Sequence, residues 1–343
     1  MTPGMRLEQH LASWAQLGGG HEELVSIILV IASAGVGLAN LISRQVMQGQ
    51  ASGIDLDDPE GTRPVSLDIL SHRVFTEALG KLPLCFLASK KNDELVRIDP
   101  AAAYGVTIDP LDGLSNIETN TSIGTIFSVL SANAENISGK KLGDVQRAAG
   151  FLFYGPQTRL VLTCGEGSYG FLLNPDDGHF YQTGDAISIR PGRSEFAINT
   201  SNYRFWDENL RYFIDDCIAG ESGPLGEDFN MRWNASLVAE AFRILVRGGV
   251  FLYPGDSRPG CHSGRLRLLH EASPLAFVIE QAGGMASNGV DRILDMQLTS
   301  LSQQVPLIFG SRDRVQEVIE YVSGEAITNT RFPLFENRSL FRS

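Results

Sequence analysis

The 343-residue chain is long enough for two domains or one large α/β unit, and 43% hydrophobic with 20% charged residues gives it an ordinary globular core. A net charge of −12 argues against a nucleic-acid binder, which would carry a basic stripe, but leaves room for a phosphorylated substrate held by a few local cations and a metal. The scattered Cys85, Cys164, Cys217 and Cys261 form no C-x-x-C pair and the histidines no H-E-x-x-H pair. Zinc and thioredoxin-like chemistry are therefore disfavoured, and reduced thiols in a cytoplasmic protein fit best.

In chain order, residues 1–20 read as a loosely held amphipathic start and residues 22–48 as a long helix. Leu24 to Ile42 carries no charge and is long enough to raise the question of a membrane span. Ser26, Ser33, Gly35, Gly37 and Asn40 dilute its apolarity, and Glu22 and Glu23 stand where a secretory signal has basic residues. The expectation is a soluble helix buried in the core or at a subunit interface, with no membrane partner. Gln50 to Pro64 is rich in Gly, Asp and Pro and reads as a mobile loop. Ser66 to Leu82 has helical spacing at Leu67, Leu70, Val74, Phe75 and Leu79. Leu84–Ala88 reads as a short strand, followed by a charged turn and a strand entering Asp109.

Ser122–Leu130, Gly150–Gly155, Arg159–Cys164, Gly167–Leu173 and Ala186–Ile189 read as successive strands separated by Asn, Gly and Pro clusters. Leu210–Ala219 and Asn234–Val246 read as helices, and Gly248–Tyr253 as a strand ended by Pro254. Leu266–Ala282 is predicted helical, stopped by Gly283-Gly284. Val305–Phe309 is a late strand, and Arg314–Ser323 a final helix. Strands and helices mix throughout, with a seam near residue 190.

The most informative stretch is Ile108-Asp109-Pro110-Leu111-Asp112-Gly113. Tyr104–Ile108 reads as a buried strand that Pro110 ends, which sets two carboxylates in a stiff turn. Such a turn can aim both at one hard cation, since Mg²⁺ takes carboxylate oxygens while keeping waters and phosphate oxygens. Gly113 lets the backbone approach an anion, and the amides after it can form a nest. A solvated acidic turn is the alternative reading of the same residues.

The segment Ile108–Val129 strongly resembles class 1 fructose-1,6-bisphosphatase, as do Gly248–Pro254, Gly264–Glu271 and Glu280–Gly284, in the same order along the chain. The resemblance implies a layered αβαβα sandwich of the sugar phosphatase type. It divides the chain into an N-terminal metal- and phosphate-binding domain (1–190) and a C-terminal sugar-binding domain (191–343). It implies a cytoplasmic homotetramer that uses Mg²⁺ to hydrolyse the 1-phosphate of fructose 1,6-bisphosphate. Asp109, Asp112, Glu271 and the Leu111 carbonyl match metal ligands, and Asp68 matches the aspartate that helps activate the attacking water. Asp112, Gly113, Leu114 and Ser115 lie where the family holds the 1-phosphate. Asn199, Arg232, Tyr253 and Arg265 match positions for the sugar and 6-phosphate, with Arg232 reaching across a subunit boundary.

Several positions depart from that pattern. The family follows its short strand with Ser-Glu-Glu, the first glutamate a metal ligand and the second a partner of the Asp68 equivalent; here the residues are Ser89-Lys90-Lys91. Two like unit charges about 4 Å apart repel by roughly 4 kcal/mol at an effective dielectric near 20, so a lysine beside a divalent ion lowers its affinity. Asp93 and Glu94 could substitute if the loop slips. Arg265 stands for a lysine, Trp233 for a tyrosine whose hydroxyl is thereby lost, and Leu114 for a serine. Gly61–Pro64 lacks the family's acid and glutamine, and Ala103 lacks a lysine of AMP-inhibited members. Three readings stay open: a bisphosphatase with altered metal use, a catalytically weak or inactive paralogue that binds sugar phosphates, and a sedoheptulose 1,7-bisphosphatase.

Overall fold

A computed structural model describes residues 4–18, 21–47, 52–54, 64–92, 94–131 and 137–326. Helices α1 (Leu7–Gly18) and α2 (Glu22–Met47) lead into a ribbon of β1 (Ser52–Ile54) and β2 (Pro64–Ser66), then α3 (Leu67–Leu79). The next strands are β3 (Phe86–Ser89), β4 (Leu95–Arg97), β5 (Gly105–Asp112) and β6 (Ile123–Leu130). A one-turn α4 (Leu142–Val145) precedes β7 (Gln146–Tyr154), β8 (Thr158–Thr163), β9 (Ser168–Leu173) and β10 (Phe180–Gln182). These form an eight-stranded sheet in the order β10-β9-β8-β7-β6-β5-β3-β4, antiparallel except for the β3–β5 pair.

The second half contains β11 (Glu195–Ala197), α5 (Glu208–Ala219), β12 (Asn230–Met231), α6 (Leu237–Arg247), β13 (Val250–Tyr253), β14 (Leu266–Arg267) and α7 (Ser273–Gln281). It ends with β15 (Met285–Ser287), β16 (Gln304–Val305), β17 (Leu307–Gly310) and α8 (Arg312–Val322). A five-stranded sheet runs β12-β11-β13-β17-β15, and β14 pairs with β16.

Strand alternation builds the layers. Val106, Ile108, Phe127 and Val129 face a core made with Leu24, Ile28, Ile31 and Phe75 of α2 and α3. Their neighbours Ile126 and Leu130 face a second core, where Val238 and Ile244 of α6 and Leu275 and Val278 of α7 meet Phe251 and Phe309 of the smaller sheet. That sheet's other face packs Val250 and Ile308 against Phe213 of α5 and Val315 of α8. The result is the expected layered αβαβα sandwich. Both faces of the large sheet are covered, so β5 and β6 are buried along their full length.

Several local expectations change. The N-terminal start is a packed helix: Leu7 and Leu11 sit in the core, and an Arg6–Tyr181 bridge ties it to β10. Helix α2 is long and apolar enough to cross a membrane, but Leu24, Ile27, Ile28, Ile31 and Leu38 pack into the first core. The loop expected over Gln50–Pro64 falls largely outside the described residues. Ala186–Ile189 is no strand; it joins the sheet through the isolated Ser168–Ile187 bridge, and Phe180–Gln182 pairs with β9 instead. Leu266–Ala282 splits into β14, a π-turn over Leu268–Ala272 and α7. Nor does Pro110 end its strand: β5 continues to Asp112 across an irregularity.

Candidate active site

That irregularity builds the site. Asp109 pairs with Ile126 and Asp112 with Gly124, and the register shifts between them. In a regular strand, residues three apart face opposite sides. The bulge re-aims one of them, so both carboxylates serve one cluster. It also accommodates Pro110, whose carbonyl accepts the Thr125 hydroxyl at 2.9 Å. The Leu111 side chain is buried in the helix-side core, while its N–H donates to Asp109 Oδ1 at 3.3 Å. Gly113 follows with φ +83°, a left-handed conformation suited to glycine, and starts the short turn Leu114–Asn116.

Glu271 arrives from the π-turn, which inserts an extra residue per turn just before α7. The Arg267 N–H donates to Glu271 Oε2 at 2.7 Å. Oxygens of Asp109, Asp112 and Glu271 lie within 4.8 Å of one another. All three residues are buried, at 3%, 8% and 3% exposure. A second backbone amide, that of Val238 at the start of α6, donates to Asp112 Oδ2 at 3.3 Å.

Lys90 enters the same cluster. Its N–H donates to the Ile108 carbonyl at 2.9 Å, which holds it beside β5. Its ammonium lies 2.6 Å from Asp109 Oδ2 and 3.0 Å from Glu271 Oε1. Lys91 donates in turn to Asp68 Oδ2, at the start of α3. Glu94 is exposed and outside the cluster, and Asp93 lies outside the described residues, as do Gly61–Arg63.

Three carboxylates face one ammonium, so negative charge remains in excess. Burial, reinforced by Asp109, pushes the Asp112 carboxyl up to about 7 despite Lys90 and the Val238 amide. Burial likewise raises Glu271. For Lys90, burial alone lowers the pKa, but Asp109, Glu271 and Asp112 outweigh it and keep the group charged. The donor set of three buried oxygen ligands fits one hard divalent cation. Two of those ligands are engaged by Lys90.

Beside the cluster a cavity of about 280 Å³ is lined by Asp112, Ser115, Asn199, Trp233, Ser236 and Tyr253, among others. An adjoining cleft shares Asn199 and Tyr253 and adds Asp256, Arg258 and Arg265. Asn199 Oδ1 accepts the Ser201 N–H at 3.2 Å, capping the turn Thr200–Phe205. Trp233 stacks over Phe251 at 6.0 Å and 4° and over Tyr253 at 6.5 Å, so it walls the cavity. Leu114 is exposed. Arg232 is exposed and lines neither cavity; its backbone N–H donates to the Phe196 carbonyl. Sequence reasoning missed Arg258, which donates to Asp256 at 2.9 and 2.5 Å. Its signal was a charged pair directly after the Gly248–Pro254 segment.

The layered α/β sandwich, with acids at the end of β5 and in the π-turn, fits a phosphatase of the sugar phosphatase type. Comparison with known proteins narrows this. The family descriptions "Fructose-1-6-bisphosphatase, N-terminal domain" and "C-terminal domain" match residues 23–185 and 189–323. Class 1 fructose-1,6-bisphosphatase of Bradyrhizobium diazoefficiens is 46% identical over 345 residues, covering 100% of both chains. That of Sinorhizobium medicae is 45% identical over 350 residues, covering 99% of both. The crystal structure of Leishmania major fructose-1,6-bisphosphatase in holo form has a TM-score of 0.84 at 31% identity, covering 94% of this chain and 100% of its own. The chain belongs to the class 1 fructose-1,6-bisphosphatase family.

Proposed function

We propose that the chain hydrolyses the 1-phosphate of fructose 1,6-bisphosphate to fructose 6-phosphate and phosphate, using Mg²⁺. The observation that carries this reading is the convergence of Asp109, Asp112 and Glu271 beside a sugar-sized cavity, in a chain matched end to end by relatives of that name. Asp109, Asp112, Glu271 and the Leu111 carbonyl would hold the ion. When bound, Mg²⁺ supplies charge neutralisation for a phosphoryl transfer that needs little covalent chemistry from the protein.

The remaining steps belong to the side chains and amides. Gly113, Leu114 and Ser115 cradle the 1-phosphate through their backbone. Asn199, Tyr253 and Arg265 hold the sugar and 6-phosphate, and Arg258 adds a second guanidinium in the same cleft. Asp68 orients the attacking water once its pairing with Lys91 opens. Arg232, exposed in its own chain, completes a neighbouring subunit's site in a homotetramer. Residues 1–190 carry the metal and phosphate side and residues 191–343 the sugar side. The protein acts in the cytoplasm on small molecules, without a nucleic-acid or membrane partner.

A phosphate-release assay on fructose 1,6-bisphosphate and sedoheptulose 1,7-bisphosphate, with and without Mg²⁺, tests this. Preference for the seven-carbon substrate would reassign the sugar; no release at saturating Mg²⁺ would sink the enzyme reading.

One observation favours a second reading. Lys90 and Lys91 pair with Asp109, Glu271 and Asp68, the acids on which turnover depends. Acids held by lysines in this way would support sugar-phosphate binding with little turnover. Calorimetry would then detect sugar-phosphate binding without added metal.

A further inference from the structure

We propose that Lys90 is a tethered competitor for the metal position: its ammonium and a divalent ion occupy the same carboxylates in turn, so Lys90 sets the metal affinity of the site. The proposal rests on reading Asp109, Asp112 and Glu271 as metal ligands.

The geometry has three parts. First, the ammonium donates to Asp109 Oδ2 at 2.6 Å and lies 3.0 Å from Glu271 Oε1, so it bridges two of the three acids as a cation would. Second, those acids come from β5 and the π-turn, and three buried carboxylates with no cation are strongly unfavourable. Lys90 therefore keeps the cluster assembled when metal is absent. Third, the Lys90 side chain is 30% exposed while the Asp109 and Glu271 side chains are each 4% exposed. The lysine reaches the acids from the solvent side and can withdraw along its own stem without repacking the core. Ion entry then needs one side-chain rotation. Lys91 pairs with Asp68 at the next position, so both lysines face carboxylates.

Mn²⁺ binding to the purified full-length protein, without substrate, tests the exchange. Calorimetry of wild type, Lys90→Met and Lys90→Glu should give affinities at least about tenfold higher for Lys90→Met than for wild type, and higher again for Lys90→Glu, because a like charge is removed and then a ligand added. Metal-free Lys90→Met should melt below wild type and gain more from Mn²⁺. A readout on wild type alone covers the case of a variant that fails to fold. Acetylation of Lys90, followed by mass spectrometry, should accelerate when Mn²⁺ saturates the site, while exposed Lys140 stays constant. Equal Mn²⁺ affinities in wild type and Lys90→Met, or stoichiometric Mn²⁺ binding with unchanged Lys90 labelling, would overturn the exchange and leave the carboxylates as metal ligands. Folded Lys90→Met that binds no Mn²⁺ would overturn both the exchange and the metal reading beneath it.

Discussion

The Lys90 ammonium lies 2.6 Å from Asp109 Oδ2, inside a cluster that otherwise consists of buried carboxylates. Where relatives of this family are expected to carry a ligand, this chain carries a cation. The consequences extend from metal affinity to stability.

Reversing both lysines should restore the acidic half of the site. In Lys90→Glu/Lys91→Glu, the Mg²⁺ concentration for half-maximal phosphate release should fall by about tenfold or more, since each like-charge contact near 4 Å costs roughly 4 kcal/mol at moderate dielectric. Titrating Mg²⁺ against initial rate measures it. An unchanged requirement would mean that neither lysine meets the ion.

Asp112 separates catalysis from stability. Asp112→Asn should lose about 3 kcal/mol of transition-state stabilisation, roughly a hundredfold in kcat. Its folded pKa, raised by burial and Asp109, has the opposite consequence for the metal-free fold. A carboxyl raised from 3.8 to about 7 favours folding below its unfolded pKa, and that contribution is lost as pH rises through the folded pKa. Metal-free Asp112→Asn should therefore be more stable than wild type at pH 8, by up to about 4 kcal/mol, with the gap closing below pH 4. Thermal melts at the two pH values, with a chelator present, measure both ends.

How much of this was legible depends on how local each signal was. Asp109 and Asp112 stood out because a short motif held them, yet the bulge that aims them together has no periodicity to read. Glu271 is legible through its motif, but its π-turn is not, because the apolar spacing from Leu266 to Ala282 fits regular helix as well. Ala186–Ile189 reads as a strand in the sequence because it is a short run between turn clusters. The sheet edge went instead to Phe180–Gln182, where the Asn174–Gly178 turn folds back to bring Phe180 opposite Leu173. Lys90 and Lys91 were visible as departures, but which acids they bind is a tertiary fact.

Gly264 supports the cleft through backbone geometry. It has φ +79°, and a Cβ there would lie 2.2 Å from the Val305 carbonyl carbon. Gly264→Ala should cost about 3 kcal/mol or more, because both strain and a backbone clash act. Gly260, with φ +75° and open space around it, should lose only about 1 kcal/mol as Gly260→Ala. Urea midpoints of the two variants test the contrast; equal losses would contradict it.

A second charge network braces the loop before α6. Glu195 is buried and accepts from Arg247 and, at 3.2 Å, from Arg243, which also binds Glu240 at 2.8 Å. Glu240 accepts the Asn234 N–H at 2.7 Å, beside the cavity wall at Trp233. Glu195→Gln should cost about 1–3 kcal/mol, discounted because Arg247 is half exposed. The Arg247 hydrogen bond, ahead of the other arginines, holds the Glu195 carboxyl below its ordinary value. Its stabilisation is present above the unfolded pKa near 4.5 and is lost as pH falls through the folded pKa. The gap between wild type and Glu195→Gln should therefore shrink on acidification; urea midpoints at pH 7 and pH 3 check it, and a constant gap would contradict the assignment.

The decisive measurement is phosphate release from fructose 1,6-bisphosphate by purified wild-type protein, titrated with Mg²⁺ beside Asp112→Asn. Wild type should release phosphate in a Mg²⁺-dependent way, and Asp112→Asn should largely lose that release. Release that ignores both Mg²⁺ and the Asp112 substitution, or no release at saturating Mg²⁺, would contradict the proposed function.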